Sequence, residues 1–275
     1  MISPAQNGPT IGVFDSGFGG LTVLRALLPL IPGAHYLYLG DTARLPYGSK
    51  SRDTIARYAV ESARFLVDRG AQMLVIACNT ATALAYQEIV AAVDVPVIGV
   101  IEPVVQMAHH GRQHTEVLVL ATHATVHSHA YLEACARHDL KATEKACPLL
   151  VPLVEEGWID HPVTRQVLNI YLAEALALCS PTAVLLGCTH YPLLTEALQQ
   201  TLEDLGSNAI IVDSASATAQ AAAALAQEHH LASPSCTANA TFECYATDSI
   251  EKFQRLGSSF LGQPLNAVQL IDLGG

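Results

Sequence analysis

AVLLGCTHYPLL, residues 183–194, sets a short apolar run against a cysteine, a threonine and a histidine, and then gives way to a helical pattern from about Leu193. MLVIACNTATALA, residues 73–85, repeats that arrangement 110 positions earlier, with Cys78-Asn79-Thr80 in place of Cys188-Thr189-His190. Each apolar run is too short for a helix and ends at small polar residues, which reads as a buried strand, Met73–Ala77 and Ala183–Gly187. A strand that feeds a helix through a tight polar turn is the unit of an α/β fold.

Working outward, the same alternation continues in both directions. Thr10–Phe14 reads as a strand, Asp15–Gly20 as a loop, and Leu21–Leu28 as a helix stopped by Pro29 and Pro32. His35–Leu39 and Pro96–Val100 read as strands. Asp53–Asp68 reads as a helix, with Ile55, Ala59, Ser62 and Leu66 on one face and Arg57, Glu61, Arg64 and Asp68 on the other. Then the pattern restarts. Glu116–Ala121, Leu149–Leu153 and Ile210–Val212 are predicted strands; Ser128–Arg137, Val163–Ala177 and Ser216–Glu228 are predicted helices. Val163, Val167, Tyr171 and Ala175 form the expected buried stripe of the second of these. Leu231–Thr241 is the expected surface loop, followed by a mixed tail from Phe242.

The loops at Asp15 and Thr122 lie 107 residues apart and the two cysteines 110, so the two halves are nearly in register. The expected fold is therefore α/β: two pseudo-symmetric α/β domains with mainly parallel sheets and a cleft between them. Residues 1–100 with 213–275 would form one domain and residues 101–212 the other. Ligands of open α/β sheets bind just outside the carboxyl ends of the strands, where both cysteines fall.

Composition narrows the function. Of 275 residues 51% are hydrophobic and 14% charged, which excludes disorder and implies a large core. The net charge of −11 argues against a nucleic-acid binder and against adhesion to an anionic membrane. No apolar run approaches the roughly 20 residues of a spanning helix, and the start, MISPAQNGP, lacks the features of a signal peptide. A cytoplasmic protein with reduced thiols is expected from its seven cysteines.

Asp15-Ser16-Gly17-Phe18-Gly19-Gly20 would let a ligand approach the backbone at a helix start. No lysine follows, as a Walker loop would need, and Asp15 would repel a pyrophosphate; a plain helix cap by Asp15 is the alternative. Asp41–Gly48, with Pro46, Tyr47 and Gly48, would make a rigid wall. A helix N-terminus is expected to lower the pKa of Cys78 and Cys188, and His190 could serve Cys188 as base or proton relay. Packing is the alternative for any single cysteine, less so for two at matched positions. Glu155 and Glu156 close a predicted strand, one facing the cleft. No metal site is expected: there is no Cys-x-x-Cys, and His123, His127 and His129 lack a set of co-ligands. His109-His110 and His229-His230 read as surface pairs.

A cysteine protease or acyl transferase uses one thiol. Inversion of a stereocentre uses two proton carriers, one on each face of the carbon. Pyridoxal phosphate would need a Schiff-base lysine, and none of Lys50, Lys141, Lys145 and Lys252 lies at a strand end beside a phosphate loop. A cofactor-free route is expected.

The segments DSGFGGLTV (15–23), GDTARLPYG (40–48), ACNTATALA (77–85), PVIGVIEP (96–103), ATHATVHSHAY (121–131), CPLLVPLVEEG (147–157), LGCTHYPLL (186–194) and VDSA (212–215) closely resemble bacterial glutamate racemase. The resemblance implies two α/β domains with substrate between them, usually as a homodimer, and interconversion of L- and D-glutamate without cofactor, feeding peptidoglycan synthesis. It implies Cys78 and Cys188 as proton carriers, Asp15 assisting Cys78, and His190 and Glu155 assisting Cys188. It assigns substrate binding to Asp15, Ser16, Pro46, Tyr47, Gly48, Asn79, Thr80, Thr122, Thr125, Thr189 and His190. The motifs offer little positive charge beyond Arg44, so two carboxylates would rest on neutral donors and backbone N–H groups. The chain departs from the family at Leu150, where an aromatic residue is usual, and in the crowding of His123, His127 and His129. Aspartate racemase of the same superfamily, or a silent binding protein using the old cleft, are the remaining readings.

Overall fold

The computed structural model describes residues 8–109, 116–232 and 238–274. Its first half runs β1 (Thr10–Asp15), α1 (Leu21–Leu27), β2 (His35–Gly40), α2 (Arg52–Asp68), β3 (Met73–Ile76), α3 (Asn79–Ala92), β4 (Val97–Gly99) and α4 (Ile101–His109). The second runs β5 (Glu116–Ala121), α5 (His123–Ser128), α6 (Ala130–Arg137), β6 (Lys141–Ala146), α7 (Leu150–Glu155), α8 (Pro162–Leu176), β7 (Ala183–Gly187), α9 (Thr195–Asp204) and β8 (Ile210–Asp213). The chain ends with α10 (Ser214–Glu228), β9 (Thr241–Ala246), α11 (Ile250–Leu261) and β10 (Gln269–Leu270).

The strands form two sheets, ordered β10-β9-β2-β1-β3-β4 and β6-β5-β7-β8, with every pairing parallel. The orders 2-1-3-4 and 6-5-7-8 are the same connectivity twice, so the repeat seen in the cysteine spacing is a repeat of topology. In the first sheet alternate residues serve two apolar layers. Ile11, Val13, Tyr36, Tyr38, Met73 and Val75 pack on the layer that continues through α1 and α10 into the second sheet. Phe14, Leu37, Leu39, Leu74 and Ile76 pack under α2 and α3. Strands covered on both faces read as unbroken apolar runs, which is why they were legible. In α2 the buried face is Ile55, Ala59, Ser62, Ala63 and Leu66, as its periodicity predicts.

Four expectations need correction. Residues 149–153 are not a strand: Leu150, Leu153 and Val154 are buried at helical spacing in α7, so Glu155 and Glu156 lie at a helix end. Pro148 and Pro152 disguised the helix, although a proline in the first turn displaces no intrahelical hydrogen bond. The strand of that unit is instead KATEKA, Lys141–Ala146, a half-exposed edge with no apolar run to mark it. The predicted helix Ser128–Arg137 is α6, which starts two residues later at Ala130 and is preceded by a separate short helix, α5, set off by His129, whose φ of 55° is left-handed. The buried stripe of α8 is Thr164, Leu168, Leu172 and Ala175, one position on from the expected one except at Ala175, and Val163 is exposed. After β7 a 3-10 turn, Tyr191–Leu194, precedes α9, and the tail adds β9 and β10 to the first sheet. The expected loop Leu231–Thr241 falls partly, and His110 wholly, outside the described residues.

Candidate active site

In each sheet the two strands that carry the motifs are neighbours. β1, ending at Asp15, pairs with β3, which leads into Cys78; β5, ending before Thr122, pairs with β7, which leads into Cys188. The chain order reverses between these strands, the point at which open α/β sheets form their ligand crevice. The two carboxyl edges meet closely. A Cβ on Gly19 would lie 2.2 Å from Thr189 Oγ1 and 2.6 Å from His190 Nδ1, so a bare α-carbon is what allows the first loop to reach the second.

Between these edges lies a cavity of about 410 Å3 lined by both Cys78 and Cys188, a size suited to a small molecule. Ser16, Pro46, Tyr47, Gly48, Asn79 and Thr80 line it from the first sheet's side, and Thr122, Thr189, His190 and Glu155 from the second's. Two expected site residues stand behind the wall. Asp15 is buried below the first loop, its Oδ2 accepting the Gly17 N–H at 3.0 Å. It does not cap α1, whose N-cap is Gly20. Thr125 is buried and acts through neighbours: its hydroxyl is 3.2 Å from Thr80 Oγ1 and 3.0 Å from Thr122 Oγ1.

Residues not anticipated also line the cavity: Gly17, Phe18, Leu45, Ser49 and His123, and from α7 and its approach Pro148, Val151, Pro152 and Glu156. Phe18 sat inside a quoted motif; the α7 group was hidden by the strand reading. His123 lies at the mouth, stacked on His127 with centroids 6.1 Å apart. A larger groove of about 530 Å3, between α3, α4 and α6, contains neither cysteine, and its Arg52 and Arg137 are paired with Glu88 and Glu102.

Cys78 is the N-cap of α3. Its sulfur accepts the Ala81 N–H at 3.4 Å and its S–H reaches Ser16 Oγ at 3.6 Å. The Ala81 N–H favours a thiolate, and so does the Ser16 hydroxyl when it turns to donate to sulfur, yet burial, reinforced by Asp15, pushes the thiol up to about 12. Cys188 is pushed up as well, by burial first, against a backbone hydrogen bond at His190. The expectation that helix starts would depress these thiols is thus overturned: desolvation outweighs the few N–H dipoles. Burial likewise raises Asp15 above its ordinary value, while His190 and the N–H groups of Gly20, Gly17 and Ser16 pull the other way.

On the Cys188 side three groups stand in a row. His190 Nδ1 is 4.0 Å from Cys188 Sγ, and His190 Nε2 is 3.3 Å from Glu155 Oε1. The imidazole is held edge-on by Phe260, with centroids 5.0 Å apart, and by Phe18 at 6.5 Å. Burial would raise the Glu155 carboxyl, but His190 and Lys252 together hold it below its ordinary value.

The floor is neutral and polar. Thr80 Oγ1 lies 3.2 Å from Thr122 Oγ1 across the two halves, and Tyr131 OH donates to Asn79 Oδ1 at 2.7 Å. Asn79 Nδ2 is buried without a partner among the described residues, a donor open to a ligand. Arg44 is elsewhere: its Nε bonds both oxygens of buried Asp41, at 3.0 and 2.8 Å, and its Nη1 meets Glu61. Asp41 also accepts the Tyr47 hydroxyl at 2.6 Å, fixing the wall residue. Among the described residues that line the cavity there is no lysine or arginine. Nor do the described residues gather three or more His, Cys, Asp or Glu into a group that could hold a metal ion, and none of their helices is long and apolar enough to cross a membrane.

Two strand-end thiols thus line one cavity between two equivalent parallel sheets. A family model described as Asp/Glu/Hydantoin racemase matches residues 12–222, and the chain belongs to that family of amino-acid racemases. It is 50% identical to a glutamate racemase of Koribacter versatilis, over 98% of this chain and all of that one. The crystal structure of glutamate racemase from Thermus thermophilus in complex with beta-chloro-D-alanine matches at 40% identity and TM-score 0.85, covering 98% and 99% of the two chains. That from Francisella tularensis in complex with D-glutamate matches at 33% identity and TM-score 0.88, with the same coverage. Within the family the similarity to glutamate racemases runs essentially end to end.

Proposed function

We propose that this protein interconverts L- and D-glutamate by a two-thiol, cofactor-free proton transfer at Cα. The observation that carries the reading is that Cys78 and Cys188 line one cavity from equivalent strand ends of two equivalent sheets. One cysteine, as thiolate, takes the Cα proton: the C–H bond breaks, an S–H bond forms, and the electron pair stays on the substrate. The other, as thiol, returns a proton to the opposite face: its S–H bond breaks, the new C–H bond forms, and the roles are exchanged. The glutamate complex of the Francisella tularensis relative supports the choice of substrate.

Because burial keeps both thiols protonated at rest, each needs a partner to receive its proton. On the Cys188 side that partner is His190, whose imidazolium Glu155 would stabilise from the far nitrogen. On the Cys78 side it is Asp15, whose raised carboxyl is a stronger base than an exposed one. The substrate carboxylates are assigned to Asn79 Nδ2, to the hydroxyls of Ser16, Thr80, Thr122 and Thr189, and to backbone N–H groups at the two helix starts. Pro46, Tyr47 and Gly48 shape the wall, and Thr125 orients Thr80 and Thr122. We assign the D-glutamate formed to peptidoglycan synthesis and the protein to the cytoplasm as a homodimer. Residues 1–100 with 213–275 are taken as one domain and 101–212 as the other, closing on the substrate.

The test is to incubate the purified protein with L-glutamate in D2O without pyridoxal phosphate. Optical rotation should decay to zero with deuterium entering at Cα, and L-aspartate should remain unchanged. Cys78→Ala and Cys188→Ala should each abolish the conversion with circular dichroism preserved. Full racemisation by either variant would overturn the two-thiol reading.

A further inference from the structure

None of the four lysines follows a motif strand, yet one of them reaches the edge of the cavity. Lys252 stands on α11, in the tail segment that packs beside the first sheet, and its Nζ lies 3.3 Å from Glu155 Oε2 on α7 of the second half. Glu155 holds His190 Nε2 through its other oxygen at 3.3 Å, and His190 Nδ1 faces Cys188 Sγ at 4.0 Å. The ammonium also lies 5.4 Å from the centroid of the Phe18 ring, which contacts His190 edge-on. Lys252 thus closes a row of four groups that crosses from one half to the other and ends at one thiol only. The other charged groups near this row are Asp15, whose charge acts on His190, and Glu156 at the end of α7; Glu251, next to Lys252 in the chain, is exposed.

We infer that Lys252 is a positioning residue for the Cys188 half of the reaction: it holds the Glu155 carboxylate in the orientation that keeps His190 turned toward Cys188. The inference rests on the two-thiol reading above. Among the described residues Cys78 has no counterpart of this row; its neighbours are Ser16, Asp15 and the α3 N-terminus. The two thiols are therefore served by unlike machinery within a symmetric frame.

The asymmetry dictates the measurement. Racemisation has an equilibrium constant of one, so kcat/KM must be equal in both directions for every variant and cannot report on one thiol alone. Isotope effects can. With Cα-deuterated substrate, the effect on kcat/KM reports how far abstraction by the starting thiol limits the rate. If Lys252→Met slows transfer at Cys188, the isotope effect should rise in the direction that begins at Cys188 and fall in the one that begins at Cys78.

The lysine is 44% exposed and its pairing is screened, so a loss of kcat of about two- to five-fold is expected in Lys252→Met. The acid limb of kcat/KM should also move to higher pH. Lys252 helps hold the Glu155 carboxyl below its ordinary value, and without it Glu155 takes up a proton earlier as pH falls. Lys252→Arg should restore kcat to within about twofold and return both isotope effects to their original values. The melting temperature should hardly move in either variant. Isotope effects that stay fixed or move in the same sense, or an Arg variant no better than Met, would overturn the assignment. Racemisation by Cys78→Ala or Cys188→Ala would sink the two-thiol reading itself. Inactive cysteine variants beside a Lys252→Met enzyme indistinguishable from the parent would sink only the role of Lys252.

Discussion

Gly19→Ala isolates the contact on which the cavity depends. Gly19 does not need a left-handed backbone, so the substitution adds a methyl group and nothing else. That methyl would stand 2.2 Å from Thr189 Oγ1 and 2.6 Å from His190 Nδ1. Ordinary contact begins near 3.4 Å, so the Thr189 and His190 side chains, or the loop that carries them, must shift by about 1.2 Å. A displacement of about 1 Å at reacting groups costs on the order of 10²-fold in rate, or roughly 2.7 kcal/mol. Overpacking costs about 1–3 kcal/mol of stability, a lowering of the melting temperature by at most roughly 10 °C. The variant should therefore be folded at 25 °C, with unchanged circular dichroism, and nearly inactive in a polarimetric assay with either glutamate enantiomer. A folded Gly19→Ala enzyme with kcat within about twofold of the parent would refute the claim that this approach sets the geometry of the two thiols.

Two further predictions concern stability. Tyr131→Phe leaves Asn79 Oδ1 buried without its donor, at a cost of about 1–3 kcal/mol. It should lower the melting temperature by several degrees and raise KM, because the amide that presents Nδ2 loses its anchor; an unchanged melting curve would contradict this. Cys78, Cys135, Cys147 and Cys244 are each pushed by burial from 9.0 up to about 12. A thiol whose folded value is raised contributes stability that is intact below pH 9 and is lost as pH climbs toward 12. At pH 10 the loss is about 1.4 kcal/mol per thiol, on the order of 5–6 kcal/mol for the four. Under reducing conditions the melting temperature should drop by more than roughly 10 °C between pH 8 and pH 10, and a flat profile would show that these thiols are not desolvated.

What could be read from the sequence was whatever burial on both faces makes conspicuous. The runs at Ile11, Leu37, Leu74, Val119 and Leu185 are central strands, covered by apolar layers on both sides, and no other structure suits them. The 110-residue spacing of Cys78 and Cys188 was legible because a duplicated topology keeps its turns in register. The strand Lys141–Ala146 was not, because an edge needs no apolar pattern, and α7 was not, because two prolines mask a helix of six residues. Lys252 could not have been found from spacing. It lies 97 residues from Glu155, and only the return of the tail to the first sheet brings them together. Arg44 was the opposite case, a charge inside a site motif that the fold spends on Asp41 and Glu61.

The thiols show why motif chemistry and burial must be weighed together. A helix N-terminus stabilises a thiolate, and on that ground alone both cysteines should be acidic. The structure places them where desolvation is larger, and burial pushes Cys78 from its ordinary 9.0 up to about 12. That difference makes its thiolate a stronger base by about 4 kcal/mol, which favours attack on a carbon acid far weaker than any thiol. It also makes the thiolate rare, and Brønsted behaviour returns only part of the difference as rate. The shift therefore helps only if something forms the thiolate inside the closed cavity. On the two-thiol reading that is the work of Asp15 on one side and of His190, backed by Glu155, on the other. Among the described residues that line the cavity no lysine or arginine stands against either sulfur to lower its basicity.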